Sequence, residues 1–375
     1  MDYKDSGVNT LLGDEVSRIF YNAAKVTWKN RKNMFGEIID LYDDFSGIRA
    51  INVGLLPYDS LMGINFDGVG TKIEIAERIS NHESIAFDLF AMVCDDAVIR
   101  GAEPVVLGSI LDIRKIDSDI SSTKYINQLA KGYINAAREA NVAVVNGEVA
   151  EIGARVLGYG EFNYNWGAGV VWFVRKKNII TGYKIREGDK IIGLRETGFR
   201  SNGLSLVRKV FSSVYGDEWH KEVYNNKPLG ELSLIPSKIY TRAVLNITGG
   251  FSYERIAEVH GISHITGGGI PGKLGRTLKP TRFGAYLDDL FEPCDLMKLC
   301  QEKGNITDEE AYRTWNMGQG MLIITPDYEK VLKSLDSYEI ESKVVGEIIK
   351  DRQIIIKSKG IFSDGSKEIR FDLSR

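Results

Sequence analysis

The first half of the chain alternates short apolar runs with amphipathic segments. The run "LMGINFDG" (61–68) predicts a strand, and residues 83–104 predict a helix because their apolar residues recur at helical spacing. The apolar stripe of this helix consists of Ile85, Leu89, Met92 and Val93. The pattern then predicts a strand over 105–113, a helix over 122–141 and a strand over 142–153. Two of these strands end in glycine and acidic residues.

The composition changes around residues 175–190. This stretch is charged and rich in turn-forming residues, and it separates the apolar run 166–174 from a new strand at 190–194. Such a stretch suits a junction between two domains. We therefore expect an N-terminal domain over residues 1–176 and a C-terminal domain over residues 177–375.

The second half contains glycine-bearing segments next to predicted helices. Residues 195–211 predict a loop that leads into a helix, with Ser201 or Asn202 as the N-cap. Further along, three successive glycines (267–269) precede Pro271. Glycines at the start of a helix let backbone donors approach an anion, but a flexible surface loop would contain them as well. Both interpretations stay open.

Composition indicates a folded protein without a strongly charged surface. The chain has 375 residues, of which 43% are hydrophobic and 26% charged, and its formal net charge is −3. These values suit about two globular domains. The interspersed charges provide no basic surface for nucleic acid or for an anionic membrane. No apolar run reaches the roughly 20 residues that span a bilayer.

Cysteines, histidines and short motifs exclude several classes of site. Cys94, Cys294 and Cys300 form neither a CxxC pair nor a disulfide framework, which favours a reducing cytoplasm. The patterns GxxxxGK[ST], GxSxG and HExxH do not occur. The four histidines lack metal-ligand spacing, so we interpret a lone histidine such as His264 as a structural hydrogen-bonding residue.

The stretch "DGVGTK" places Asp67 and Lys72 five positions apart, with Gly68 and Gly70 between them. One interpretation is a tight turn, because glycine adopts positive φ without a Cβ clash and charged residues flank many exposed turns. The other is a phosphate-binding loop, in which backbone N–H groups and Lys72 contact the phosphate while Asp67 binds a metal. The stretch by itself leaves both open.

A second acid interrupts the apolar helix. Asp96 lies four residues after Met92 and three after Val93, so it continues the predicted buried stripe, whereas Asp95 lies nearer the edge. A carboxylate on an inner face is costly unless it is paired, hydrogen-bonded or bound to a metal. The alternative to a metal ligand is an aspartate between two helices with a serine or amide partner.

A third acid, Glu148, follows Gly147 in the strand 142–153. Magnesium prefers hard oxygen ligands, usually one or two carboxylates together with waters and phosphates. Asp67, Asp96 and Glu148 are therefore candidate Mg²⁺ ligands in a nucleotide site.

Taken together, seven motifs resemble those of aminoimidazole ribonucleotide synthetase, the phosphoribosylformylglycinamidine cyclo-ligase of purine synthesis. They are "YKDSGV", "DGVGTK", "DLFAMVCDDAVIRGAEP", "NGEVAEIG", "FRSNGLSLVRKV", "SHITGGGIPGKLGR" and "YRTWNMGQGM". Their order and spacing match that family over most of residues 2–350. Selenophosphate synthetase and thiamine monophosphate kinase share the acids but not the C-terminal motifs.

The resemblance implies a two-domain, selenophosphate-synthetase-like ATP-binding fold. It implies an α/β domain whose sheet pairs with its twin in a homodimer, a C-terminal α+β domain, and an active site in the cleft between them. The implied reaction uses ATP and Mg²⁺ to phosphorylate the formyl oxygen of formylglycinamidine ribonucleotide. An amidine nitrogen then attacks the activated carbon, phosphate leaves and the imidazole ring closes.

The resemblance also implies roles for individual residues. Those implied for catalysis are Lys72, Asp96 and Asn202. Those implied for ATP are Lys4, Asp67, Gly68, Gly70, Thr71, Lys72 and Gly147. Those implied for the ribonucleotide are Arg200, Ser201, Asn202, His264, Gly267, Gly268 and Gly269. The implied metal ligands are Asp67, Asp96 and Glu148.

The chain departs from the family pattern at four places. Asp43 and Asp44 replace glycines, Ser109 replaces an aspartate, Arg200 replaces the histidine of "HSNG", and the segment after Glu151 differs. We interpret the chain as a divergent cyclo-ligase. The alternatives are a paralogue that activates a related amide or amidine, and a non-catalytic dimeric scaffold. The retained acids argue against a scaffold, because a scaffold gains nothing from carboxylates on a buried face.

Overall fold

The computed structural model describes residues 10–41, 49–116, 120–363, 365 and 367–373. Lys4, Asp43 and Asp44, which the sequence analysis singled out, lie outside these residues.

The N-terminal half is built on a four-stranded sheet. Its helices are α1 (Thr10–Thr27), α2 (Lys72–Ile79), α3 (Ile85–Val98) and α4 (Ile120–Ala140). Its strands are β1 (Ile38–Asp40), β2 (Arg49–Ile51), β3 (Ser60–Gly68), β4 (Glu103–Ile113), β5 (Ala143–Glu151) and β6 (Tyr164–Arg175). The sheet has the order β3-β6-β4-β5, with β4 and β5 parallel, and β1 pairs separately with β2. The strands and helices predicted for this half are confirmed.

Helix α3 is buried on nearly every side rather than along one stripe. The predicted stripe is buried, and so are Phe90 and Cys94 between its members. Asp95 is fully buried, whereas the side chain of Asp96 is 35% exposed. The expectation that Asp96 continues the buried stripe, with Asp95 near its edge, is therefore wrong. The C-terminal half covers the side of the helix on which Asp95 lies.

The C-terminal half is built on a seven-stranded mixed sheet. Its helices are α5 (Leu204–Tyr215), α6 (Leu229–Ser233), α7 (Thr241–Thr248), α8 (Gly269–Leu278), α9 (Asp295–Gly304), α10 (Asp308–Thr314) and α11 (Tyr328–Asp336). Its strands are β7 (Lys190–Arg195), β8 (Val223–Tyr224), β9 (Lys227–Pro228), β10 (Gly261–His264), β11 (Gly284–Leu287), β12 (Gln319–Thr325), β13 (Ser342–Ile349), β14 (Gln353–Lys357) and β15 (Glu368–Asp372). The sheet order is β10-β12-β7-β13-β11-β14-β15, and β8 pairs with β9.

The change from one sheet to the other occurs near the expected domain boundary. Strand β6 ends at Arg175 and belongs to the first sheet, and strand β7 begins at Lys190 in the second. In the described residues the two sheets share no strand. We therefore keep 1–176 and 177–375 as the proposed domains.

A buried carboxylate at the start of β4 joins three segments of the chain. Glu103 Oε1 accepts a hydrogen bond from Arg31 Nη2 at 2.9 Å, and both side chains are buried. Glu103 Oε2 accepts from the backbone N–H groups of Phe251 and Ser252 at 2.6 and 3.0 Å. This carboxylate thus connects the N-terminal sheet to a loop of the C-terminal half.

We expect Glu103→Gln to lower the free energy of unfolding by about 3–5 kcal/mol, because it leaves the buried Arg31 guanidinium without its counter-charge. The matched control is Glu83→Gln, which breaks an exposed pair with Lys131. Exposed pairs contribute at most about 1 kcal/mol. Urea unfolding followed by circular dichroism measures both changes. Equal losses in the two variants would contradict a buried role for the Glu103 charge.

Candidate active site

Three helix N-termini converge where the two halves of the chain meet. At the start of α2, Thr71 Oγ1 accepts a hydrogen bond from the Ser205 hydroxyl, in the first turn of α5, at 3.3 Å. At the start of α8, a Cβ on Gly267 would lie 3.1 Å from Asn202 Oδ1. Helix N-termini carry unpaired N–H groups and a positive partial charge. The cleft is therefore suited to bind an anion.

Glycines shape both loops that line this cleft. Gly70 has φ of +69°, and a Cβ there would have no heavy atom within 4 Å, so the space beside it is open. Gly268 and Gly269 have φ of +91° and +58°, and a Cβ on Gly269 would lie 1.9 Å from the Tyr312 carbonyl oxygen. Of the two interpretations left open for residues 267–269, the structure shows the helix start, since α8 begins at Gly269.

Lys72 does not face the cleft. Its side chain is fully buried, and its Nζ donates to Asp88 Oδ1 at 2.8 Å and to the carbonyl oxygen of Ile235. The Ser237 hydroxyl donates to the same oxygen of Asp88. The structure thus contradicts the prediction that the Lys72 ammonium cradles a phosphate in catalysis and ATP binding. Lys72 instead joins α2 and α3 to the C-terminal half.

Asp67 and Asp96 lie close enough for their charges to interact. Burial raises the pKa of Asp67; the Gly68 N–H, 2.7 Å from its Oδ1, opposes this rise, and the charge of Asp96 adds to it. Lys273 in α8 is half-buried and interacts with both carboxylates, and burial lowers its pKa. A pair of carboxylates beside helix N-termini fits Mg²⁺, which completes its shell with waters and phosphate oxygens.

Glu148 and Gly147 are separated from this pair by the width of the sheet. Asp67 pairs with Ala168 in β6, Ala168 with Ser109 in β4, and Ser109 with Gly147 in β5. Three spacings of about 4.8 Å separate the ends of this row by roughly 14 Å. In the residues that the structure describes, no group of three His, Cys, Asp or Glu side chains is arranged to hold a metal. Glu148 therefore lies too far from Asp67 to bind the same metal ion within one chain, although Asp67, Gly147 and Glu148 line one concave face of the sheet. The part of Glu148 and Gly147 in the nucleotide site stays a prediction.

Arg200 is buried rather than exposed at the mouth of its loop. Its side chain is 1% exposed, and its two terminal nitrogens contact Glu196, Asp95, His264 and the carbonyl oxygen of Lys238. All of its terminal nitrogens are therefore engaged by protein groups. The prediction that Arg200 contacts the ribonucleotide is wrong in this structure.

The two residues after Arg200 have different surroundings. Ser201 is buried, and its hydroxyl has no hydrogen-bond partner among the described residues. Asn202 is half-buried, and its Nδ2 lies 3.7 Å from the sulfur of Met92. The residue that precedes α5 is Gly203, with φ of +77° and no side-chain cap bond. The prediction that Ser201 or Asn202 caps this helix is wrong, which leaves Asn202 beside Gly267 in the cleft.

His264, at the end of β10, is 1% exposed, and its Nδ1 lies 2.6 Å from Asp96 Oδ1. Burial, reinforced by the Arg200 charge, lowers the pKa of His264 to about 4. Burial alone would raise the pKa of Asp96, but its hydrogen bond with His264 and the nearby positive charges lower it. The interpretation of His264 as a structural hydrogen-bonding residue is confirmed. The substrate contact implied for it is not, because the ring is covered.

Comparison with known proteins agrees with this architecture. Residues 52–168 match the family model of AIR synthase related protein, N-terminal domain, and residues 186–359 match that of its C-terminal domain. The phosphoribosylformylglycinamidine cyclo-ligase of Pyrococcus horikoshii is 34% identical over 365 residues, which cover 96% of this chain and 99% of the relative. The chain belongs to the AIR synthase (cyclo-ligase) family.

Solved structures of other proteins share the fold of this chain at low sequence identity. A crystal structure of E. coli HypE has a TM-score of 0.60 at 14% identity and covers 94% of this chain and 96% of its own. A structure of the hydrogenase maturation protein HypE in complex with ATP has a TM-score of 0.54 at 14% identity, covering 88% and 87%. The two-domain fold is therefore the one expected from the motifs.

Three residues of this cyclo-ligase family site were not predicted from the sequence: Asp95, Glu196 and Lys273. Lys273 lies one turn after Gly269, the first residue of α8. Its position near the start of a helix that begins with glycine could have identified it from the sequence as a site residue. Nothing in the sequence marked Asp95 and Glu196 as site residues, because only the folded chain brings both into contact with Arg200. Asp95 and Arg200 are 105 residues apart in the sequence.

We expect Lys72→Met to destabilise the fold even without nucleotide. The variant leaves the Asp88 carboxylate buried without its cation, and losing one partner of a buried pair costs about 3–5 kcal/mol. Lys131→Met, at an exposed pair with Glu83, is the matched control and should cost at most about 1 kcal/mol. Urea unfolding without ATP measures both. An unchanged midpoint for Lys72→Met would restore Lys72 as a candidate phosphate contact.

Proposed function

We propose that this chain is an ATP-dependent cyclo-ligase that converts formylglycinamidine ribonucleotide to aminoimidazole ribonucleotide, with release of ADP and phosphate, in de novo purine biosynthesis. The observation that carries the proposal is the meeting of three helix N-termini, an arrangement suited to anions, beside the Asp67–Asp96 pair. A cyclo-ligase relative that matches over nearly the full length of the chain supports the choice of substrate.

The proposed cofactors are ATP and Mg²⁺. The N–H groups at the start of α2, which follow Gly68 and Gly70, would contact the nucleotide phosphates together with Thr71. Asp67 and Asp96 would hold Mg²⁺, and the Lys273 ammonium would neutralise part of the remaining phosphate charge. When bound, the metal neutralises negative charge on the phosphates. The ATP complex of the structurally similar HypE supports a nucleotide in this fold.

The proposed reaction activates an amide oxygen. The formyl oxygen attacks the γ-phosphorus of ATP and ADP leaves. An amidine nitrogen then attacks the resulting imidate carbon, the former formyl oxygen departs as part of phosphate, and the nitrogen loses a proton. Phosphate is a far better leaving group than an amide oxygen. The protein therefore acts mainly by positioning and charge neutralisation.

The ribonucleotide would lie at the other side of the cleft. Asn202 and the N–H groups of residues 267–269 at the start of α8 are the proposed contacts of its phosphate and amidine, with the unpartnered Ser201 hydroxyl behind them. A coupled assay with ATP and formylglycinamidine ribonucleotide tests the activity. Formylglycinamide ribonucleotide, which lacks the amidine nitrogen that closes the ring, is the matched control substrate. Failure to form the aminoimidazole from the amidine would contradict the proposed function.

We propose that the protein acts in the cytoplasm. Cys94, Cys294 and Cys300 are free thiols, as suits a reducing compartment. In the described part of the chain, no helix combines the length and apolarity needed to cross a membrane.

We also propose that the chain forms a homodimer through the outer face of its N-terminal sheet. Alternate residues of β3 place Met62, Ile64 and Phe66 on this face, and all three are exposed, as is Ile110 in β4. The Phe66 ring lies over Gly169 of the neighbouring strand, where a Cβ would meet it at 2.4 Å. A contiguous apolar face of this kind usually marks an interaction surface.

We expect light scattering at micromolar concentration to give twice the chain mass of 41.9 kDa. Phe66→Glu should shift this value toward one chain mass, because it places a charge in the apolar face. Val223→Glu, which changes an exposed apolar residue of the β8–β9 hairpin, should leave the dimer intact. A monomeric wild type, or equal effects of the two substitutions, would contradict the proposed interface.

We expect Asp96→Asn to raise the Mg²⁺ concentration at half-maximal ATP turnover about 10- to 150-fold, from a loss of roughly 1.5–3 kcal/mol. The amide keeps an oxygen that can accept from His264 but removes the charge. Asp217→Asn, at an exposed carboxylate, is the matched control. Circular dichroism confirms that the variants are folded. Identical magnesium titrations for wild type and Asp96→Asn would remove Asp96 from the metal site.

A further inference from the structure

The two terminal nitrogens of Arg200 contact four hydrogen-bond acceptors. Nη1 donates to Glu196 Oε2 at 2.7 Å and to the carbonyl oxygen of Lys238 at 3.0 Å. Nη2 donates to Asp95 Oδ2 at 3.2 Å and contacts His264 Nε2 at 2.7 Å. Arg200 has φ of +58°, an uncommon conformation for a residue with a side chain. These contacts hold the guanidinium in one orientation.

This contact determines the tautomer of His264. A guanidinium has only donors, so His264 Nε2 must accept with its lone pair and cannot carry a proton. The ring proton of the neutral imidazole therefore lies on Nδ1, which donates to Asp96 Oδ1 at 2.6 Å. Because Nε2 cannot be protonated beside the Arg200 guanidinium, the ring carries one proton and is neutral.

The hydrogen bond from His264 engages one oxygen of Asp96. Because the side chain of Asp96 is 35% exposed, its other oxygen is available to the cleft that it shares with Asp67. The preceding residue is anchored by the same guanidinium: Asp95 also accepts from Tyr240 N at 3.0 Å and from the Thr241 hydroxyl at 2.9 Å. Arg200 thus contacts Asp95 directly and is connected to the next residue, Asp96, through His264.

We propose that Arg200 is a positioning residue that acts through His264 to hold Asp96 in the orientation that binds the metal–nucleotide complex. The inference rests on the proposed function of the cleft. Arginine suits this position because its guanidinium combines a permanent charge with forked donors that reach several acceptors at once.

The first test measures the tautomer of His264 in the nucleotide-free protein. Nitrogen-15 NMR of histidine-labelled wild type should show a protonated Nδ1 and an unprotonated, hydrogen-bonded Nε2 between pH 6 and 8. His264→Phe assigns the signal among the four histidines. In Arg200→Lys the Nε2 signal should move, because one ammonium cannot reach all four acceptors. A protonated Nε2 in the wild type would overturn the inference.

The second test is a double-mutant cycle on metal binding. Mn²⁺ takes the same oxygen ligands as Mg²⁺, and its binding with a non-hydrolysable ATP analogue is measured by electron paramagnetic resonance. Arg200→Lys should weaken Mn²⁺ binding about tenfold, within the range for residues of one hydrogen-bond network. In the Asp96→Asn background the same substitution should have no further effect. An equal fold-change in both backgrounds would show a merely structural role and overturn the inference.

These tests separate the inference from the proposed function. If wild type binds no Mn²⁺–nucleotide, the proposed function fails, and the tautomer measurement alone decides whether the relay exists. If wild type binds but the effects are additive, only the inference fails. Should Arg200→Lys not fold, His264→Phe replaces it in the cycle, because it keeps the ring volume and removes both nitrogens. Additive effects of His264→Phe and Asp96→Asn would overturn the inference in the same way.

Discussion

Buried ion pairs that cross between the two halves of the chain are the constraint on which the cleft depends. Arg200 of the C-terminal half pairs with Asp95 of α3, and Lys72 of α2 contacts both Asp88 and the carbonyl oxygen of Ile235. Burying each ion pair removes its charges from water, and the attraction between the charges offsets this free-energy cost only in one close geometry. A small change in the relative position of the two halves would therefore leave charges unpaired, so these pairs favour a single arrangement of the cleft walls.

The same constraint explains why the helix N-termini remain open. The buried cations nearest the cleft have protein counter-charges: Lys72 pairs with Asp88, and Arg200 pairs with Glu196 and Asp95. The groups that face the cleft are then backbone N–H donors, the Asp67–Asp96 pair and the half-buried Lys273. The structural charges and the ligand-facing groups are thus separate sets, which lets a ligand enter without breaking the pairs that hold the fold.

The sequence predicted the elements of this cleft better than their partners. The strand and glycine loop at Asp67 were predicted because their signals are local, whereas α2, which follows the loop, was not. For residues 267–269 the sequence left a helix start and a surface loop open, and α8 begins there. Lys72 was misassigned because Ile235, 163 residues away, accepts from its ammonium. Glu148 was grouped with Asp67 as a ligand of one metal because local patterns do not determine strand order, and the observed order places β5 at the edge opposite β3.

The incorrect prediction that Asp96, rather than Asp95, is the buried aspartate has a related cause. A helical stripe defines an inner face only where the other face meets water, and α3 is buried on nearly every side. Which of two adjacent aspartates is covered then depends on the C-terminal half, where Arg200, Tyr240 and Thr241 surround Asp95. No periodicity within residues 85–98 contains that information.

The balance of charge in the cleft argues that nucleotide and metal bind together. Two adjacent carboxylates would repel the phosphates of a free nucleotide, and the opposing charge comes from Lys273 and from helix N-termini worth roughly half an elementary charge each. Binding of a divalent cation at Asp67 and Asp96, as proposed, would reverse the sign of the field at that point, so phosphate oxygens would become favoured ligands there. Asp96 would serve in this way only while it stays ionised and correctly oriented, and a neutral His264 that donates to it would support both conditions without adding a charge that competes with the metal.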